Sequence, residues 1–97
     1  MERKKIINNL KSDGAWYRCN GIIFAAKQGL DDKEVAKLLL GLKDDPVWLF
    51  GRQIGWYAIA ALDMLGIEKY TGNDRDIKEL VDAFPAFAST LEEYSES

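Results

Sequence analysis

An all-α domain of five to six helices, folded as antiparallel helical hairpins, is predicted by three features of the sequence. Apolar residues recur at helical spacing along most of the chain, with no alternating run bounded by turns to announce a strand. Residues that start and stop helices punctuate it at Asp13-Gly14, Gly29, Asp31-Asp32, Asp45-Pro46, Gly66 and Asn73-Asp74. The third feature is Val47–Gly66, in which only Arg52, Gln53 and Asp63 are strongly polar. A helix apolar nearly all round is buried on most of its surface, so the other helices are expected to pack around this one.

In chain order, Glu2–Ser12 reads as a short first helix with Ile6, Ile7 and Leu10 on one face. Asp13 can cap a second helix, Ala15–Gln28, and Gly29 can close it in a left-handed turn. Asp31 with Glu34 has the spacing of a capping box. It opens a third helix, Asp32–Leu42, whose stripe is Val35, Leu38, Leu39 and Leu42. Asp45 as cap and Pro46 at the first helical position would start the central helix, and Gly66 would end it. Ile67–Gly72 is a loop, after which Asn73 or Asp74 caps a fifth helix running to Ala83. Proline inside a helix costs ~3 kcal/mol. A break near Phe84 and a short sixth helix, Pro85–Tyr94, are therefore expected. The helical units fall at about 2–29, 31–66 and 73–94 of a single domain, 1–97.

A chain of 97 residues with 47% apolar and 30% charged residues is globular in composition. A single cysteine excludes an internal disulfide framework and fits a reducing, cytoplasmic setting. Val47–Gly66 has the length of a membrane span, but Arg52 and Asp63 within it and the amphipathic flanking segments favour burial in protein, so no membrane partner is expected. The net charge of −3 is unevenly spread: residues 1–30 carry +4, 31–69 carry −2 and 70–97 carry −5. Solvated ends account for this, and so would end-to-end pairing of protomers in a salt-sensitive homo-oligomer. Overall acidity disfavours general nucleic-acid binding.

Two stretches match by eye. Leu10-Lys11-Ser12-Asp13-Gly14-Ala15-Trp16 lies over Leu42-Lys43-Asp44-Asp45-Pro46-Val47-Trp48 at an offset of 32. Tyr17-Arg18, Gly21, Phe24-Ala25 and Gly29 then have the mutual spacing of Ile54-Gly55, Ala58, Ala61-Leu62 and Gly66, with five extra residues in the second unit. Repeated pairs of antiparallel helices have this form. Asp45-Pro46, Ile54, Ala58, Ala61-Leu62 and Leu65-Gly66 resemble the second helix of the HEAT-repeat family of α-solenoids. Gly55 stands where that family usually has arginine, although Arg18 holds the place in the first unit, and the central helix is too long at its start. The resemblance implies a right-handed α–α superhelix, against the alternative of a compact helical bundle, and implies binding rather than chemistry.

The residues agree with a non-enzymatic reading. Histidine is absent, which removes the usual acid–base group near neutral pH. Cys19 has no histidine to activate it. The paired carboxylates stand at helix starts, where capping accounts for them, or near the end of the chain. No phosphate-cradling glycine loop and no zinc-spaced Cys/His set is present, so no catalytic residue, cofactor or metal site is expected.

A protein partner is the first expectation. On a continuous central helix, Val47, Phe50, Ile54, Ala58, Ala61, Leu62 and Leu65 would face inward. Trp48, Arg52 and Trp56, at i, i+4 and i+8, would share the opposite face with Ala60 and Asp63. Arg52 could then lie on either indole, and Trp and Arg dominate interface hot spots. Covering of both tryptophans by another helix is the competing reading. Trp16 and Arg18 hold the corresponding places in the second helix. Lys4, Lys5, Lys11, Arg18 and Lys27 are the basic residues a nucleic-acid or small-ligand binder would use.

Overall fold

The computed structural model describes residues 1–91, in which five helices and one minimal hairpin follow in order. They are α1 (Arg3–Leu10), α2 (Ala15–Lys27), α3 (Lys33–Gly41), β1 (Trp48–Leu49), β2 (Arg52–Gln53), α4 (Ile54–Met64) and α5 (Arg75–Thr90). The all-α class holds, and α1, α2 and α3 lie within a residue or two of their expected bounds. One core joins Ile6, Ile7 and Leu10 of α1 with Ile22 and Phe24 of α2, Val35 and Leu39 of α3, Ile54, Tyr57 and Leu62 of α4, and Leu80 and Phe84 of α5. Each large apolar side chain fully removed from water there contributes ~1.5–3 kcal/mol.

Five local expectations are corrected, the first at α2, whose cap position is Gly14 and not Asp13, with no side-chain cap bond. The central helix does not span Val47–Gly66; helix α4 begins only at Ile54. Ahead of it the chain folds back as an antiparallel hairpin, Trp48 opposite Gln53 and Leu49 opposite Arg52. The local chemistry favours this. Val47, Trp48 and Phe50 are strand-forming types, and Gly51 and Gly55 each weaken a helix by ~1 kcal/mol relative to alanine. Asp45 therefore caps no helix. Its carboxylate accepts the Val47 N–H at 3.1 Å and its carbonyl accepts the Gly55 N–H at 3.0 Å, closing the hairpin's base.

The cap of α3 is Asp32 rather than Asp31, accepting the Val35 N–H at 3.0 Å. Helix α5, capped by Asp74, runs through Pro85 to Thr90 without the expected break. Leu80, Phe84 and Ala88 are buried along one stripe while Pro85 lies exposed. Burial of that stripe outweighs the lost backbone bond, which falls on the solvent side. Of the expected sixth helix, residues 92–94 lie outside the described residues.

The α3–α4 connection is packed tightly. A Cβ at Gly55 would lie 2.2 Å from the Lys43 carbonyl oxygen, so the start of α4 rests directly on the preceding backbone. Gly21 similarly lets α2 approach α1, with the Leu10 nitrogen 2.9 Å from where its Cβ would be. Arg18 joins the two connections. Its guanidinium donates to Asp45 at 2.8 Å and to the Ser12 and Asp13 carbonyls, and both charged side chains are mostly buried.

Candidate interaction surface

The hairpin tip, Phe50-Gly51, has positive φ at both residues, 57° and 78°. This is the signature of a type I′ turn, whose twist matches that of the flanking strands. Glycine adopts it freely; a bulky residue does so at a cost of ~1–3 kcal/mol. Phe50 nevertheless sits there 66% exposed. Trp48, two residues away, is 59% exposed.

A two-stranded hairpin is marginal alone, and this one is braced by contacts from α2 and α4. The Ile54 N–H donates to the Val47 carbonyl at 2.8 Å, and the Tyr57 hydroxyl donates to the Leu49 carbonyl at 3.4 Å. Trp16, on the first turn of α2, meets the Phe50 ring edge-on at 5.5 Å. Trp48 meets Trp56, on the first turn of α4, at 5.3 Å with ring planes 69° apart. Burial raises the Tyr57 hydroxyl above its usual range, and the nearby Arg52 guanidinium works against that rise.

The tip divides two recesses, both lined by Phe50 and Arg52. Towards α2 and α5 lies an apolar one of about 420 Å³, walled by Trp16, Phe24, Tyr57 and Phe87. Cys19 lines this recess, its thiol pushed up to about 12 by burial and so protonated at neutral pH. Towards α4 and α5 lies a more polar one of about 360 Å³, formed by Trp48 and Trp56 with Asp76 and Glu79 of α5.

The predicted residues divide accordingly. Trp48, Arg52 and Trp56 do come together, but through the hairpin and not as a helical stripe, and Trp16 joins them from α2 across Phe50. Arg52 does not lie over an indole, whereas the Lys27 ammonium stands 5.9 Å from the centre of the Phe24 ring. Arg18 is turned into the molecule against Asp45. Asp63 accepts the Tyr70 N–H at 2.9 Å and meets Lys69 at 3.6 Å, holding the α4–α5 loop. Val47 and Phe50, expected inside, are exposed, and Ala60, expected outside, is buried. Asp76 figures in the sequence only as one of the paired carboxylates at a helix start, and Glu79 was not singled out. Phe50 was misplaced, though the five extra residues and Gly51 mark where the hairpin departs from the first unit's pattern.

Among the described residues no helix is long and apolar enough to cross a membrane. Comparison of the chain with family models, curated proteins and solved structures returns no match.

Proposed function

We propose that this is a non-enzymatic, cytoplasmic protein-interaction module, an adaptor or inhibitor, whose contact surface is the hairpin tip with Trp48, Arg52, Trp56 and Trp16. The observation that carries the reading is Phe50, held in a costly backbone conformation while most of its ring is exposed. Strain of this kind persists where the surroundings impose it and concentrates at binding sites. Aromatic and arginine side chains around it are the types that anchor interfaces. Packing of α1 on α2, α3 on α4 and α2 on α4 supports the HEAT-like stacking of helical pairs as part of the same proposal.

The decisive variant is Phe50→Asn. Asn-Gly is a preferred type I′ pair, so relief of the strained backbone should offset the lost Trp16 contact and keep stability within about 1 kcal/mol of wild type while removing the anchor. Bait carrying it is compared with wild type in a nuclease-treated lysate of the source cell, beside urea unfolding. A protein captured by wild type and lost by this equally folded variant is expected. Equal capture by both would overturn the reading, and so would a signal abolished by nuclease. Empty lanes with concentration- and salt-dependent sedimentation would replace it with self-assembly of basic and acidic ends.

A further inference from the structure

The recess between Trp48, Trp56 and the first turns of α5 has the chemistry of a cation receptor. Two indole planes set 69° apart bound a corner, and the negative face of an aromatic ring attracts a positive group. Across the corner stand Asp76 and Glu79, three residues apart and so on one side of α5. Helix capping does not occupy these carboxylates, because Asp74 already accepts the Asp76 and Ile77 N–H groups. Neither has an ion-pair partner among the described residues. The cation lining the recess among the described residues is Arg52, which stands on the dividing hairpin and pairs with neither carboxylate. Two free carboxylates beside the indole pair against one guanidinium leave the corner negative, and Trp48, at 59% exposed, keeps it open to solvent.

We infer that this recess receives the cationic end of a basic side chain, a lysine, presented by the protein partner. The inference rests on the interaction-module reading and names the chemistry of one contact within it. The indoles take the ammonium and the adjoining methylenes, and Asp76 and Glu79 supply the opposite charge. Arg52 opposes the incoming charge, so its effect here is opposite in sign to that of the carboxylates.

The test uses the whole chain and a short glycine peptide with one central lysine, blocked at both ends so that the ammonium is its only charge. An otherwise identical norleucine peptide is the control. Indole N–H resonances of Trp16, Trp48 and Trp56 are followed by NMR at low salt. Saturable shifts of Trp48 and Trp56 with the lysine peptide, and none with norleucine, are expected. A unit charge ~7 Å away in water changes binding about threefold. The Asp76→Asn, Glu79→Gln double variant should therefore bind about tenfold more weakly, and Arg52→Gln about threefold more tightly.

Equal response to norleucine, movement of Trp16 alone, or unchanged binding in the carboxamide variant would overturn the inference. A silent lysine peptide, with protein capture still lost in Phe50→Asn, sinks this inference and leaves the module. A responsive recess, with capture unaffected by Phe50→Asn, sinks the module reading and leaves a cation site.

Discussion

The α1–α2 and α3–α4 connections begin alike and end differently. Leu10-Lys11-Ser12-Asp13-Gly14-Ala15-Trp16 passes straight into α2, placing Trp16 on a helix, whereas Leu42 to Trp48 leads into a strand and then a turn. The helix starts only at Ile54, the counterpart of Tyr17, which stands five residues later than the first unit's spacing requires. One turn signature thus serves two ends. In the first unit it joins helices; in the second it also supports an inserted hairpin that carries the exposed aromatic groups. The difference teaches that the scaffold and the recognition element are separable along the chain.

The strongest way to break the comparison is at the glycine by which each unit's second helix rests on the chain before it. Gly55→Ala would drive a methyl group into the Lys43 carbonyl. Backbone cannot rotate away as a side chain can, so a loss of at least about 3 kcal/mol is expected in urea unfolding. Gly21→Ala, where the nearest backbone atom is 2.9 Å away, should cost less. An equal or reversed order would mean that the α3–α4 connection is the more yielding of the two.

A second experiment makes the units alike. Excising residues 49–53 joins Trp48 to Ile54-Gly55, reproducing the spacing of Trp16 to Tyr17-Arg18. The shortened chain should keep cooperative thermal unfolding and its helical circular dichroism while losing the captured partner. Loss of cooperativity would show that the hairpin belongs to the folding unit, and the separation drawn above would fail.

The smallest effect concerns the tether between α1 and α3. Arg3 donates to Asp32 at 2.9 and 3.0 Å and to Glu34 at 3.1 Å. With the Val35 N–H, it holds the Asp32 carboxyl down from 3.8 to about 2. A depressed carboxyl stabilises the fold fully above its unfolded value, and the contribution is lost as the pH falls through about 2. Carboxyl-carbon NMR should show Asp32 titrating near 2 in the wild type and moving up in Arg3→Gln. Both being solvent-exposed, the tether adds little stability. Unchanged titration in the variant would remove it from the comparison with the buried Arg18–Asp45 link.

Helix starts with side-chain caps were legible to within a residue: Asp74 is the cap that α5 uses, and Asp32 stands one place beyond the expected Asp31. Periodicity likewise found the stripe of Val35 and Leu39 on α3. It failed over Val47–Gln53, because an apolar run without polar interruptions has no period by which to separate helix from strand. The turn was hidden because phenylalanine rarely takes positive φ, so Phe50-Gly51 lacks the Asn-Gly or Asp-Gly signature of such turns. Pro85 misled for the opposite reason, as a strong local rule yielded to burial of Phe84 and Ala88 around it. The tryptophan pair was found from a wrong geometry: i and i+8 on one helix and a hairpin folding back onto α4 bring the same two rings together.

The shortness of the hairpin has its own consequence. Its ladder consists of Trp48 with Gln53 and Leu49 with Arg52, and the reversal at Phe50-Gly51 ends it at once. Exposed strand edges invite foreign strands to add on, and brevity is one of the devices by which natural proteins refuse them. Each outer edge here offers too little backbone to template a growing fibril. Aromatic rings can thus be displayed to water on a β-structure without turning the molecule into a seed for its own aggregation.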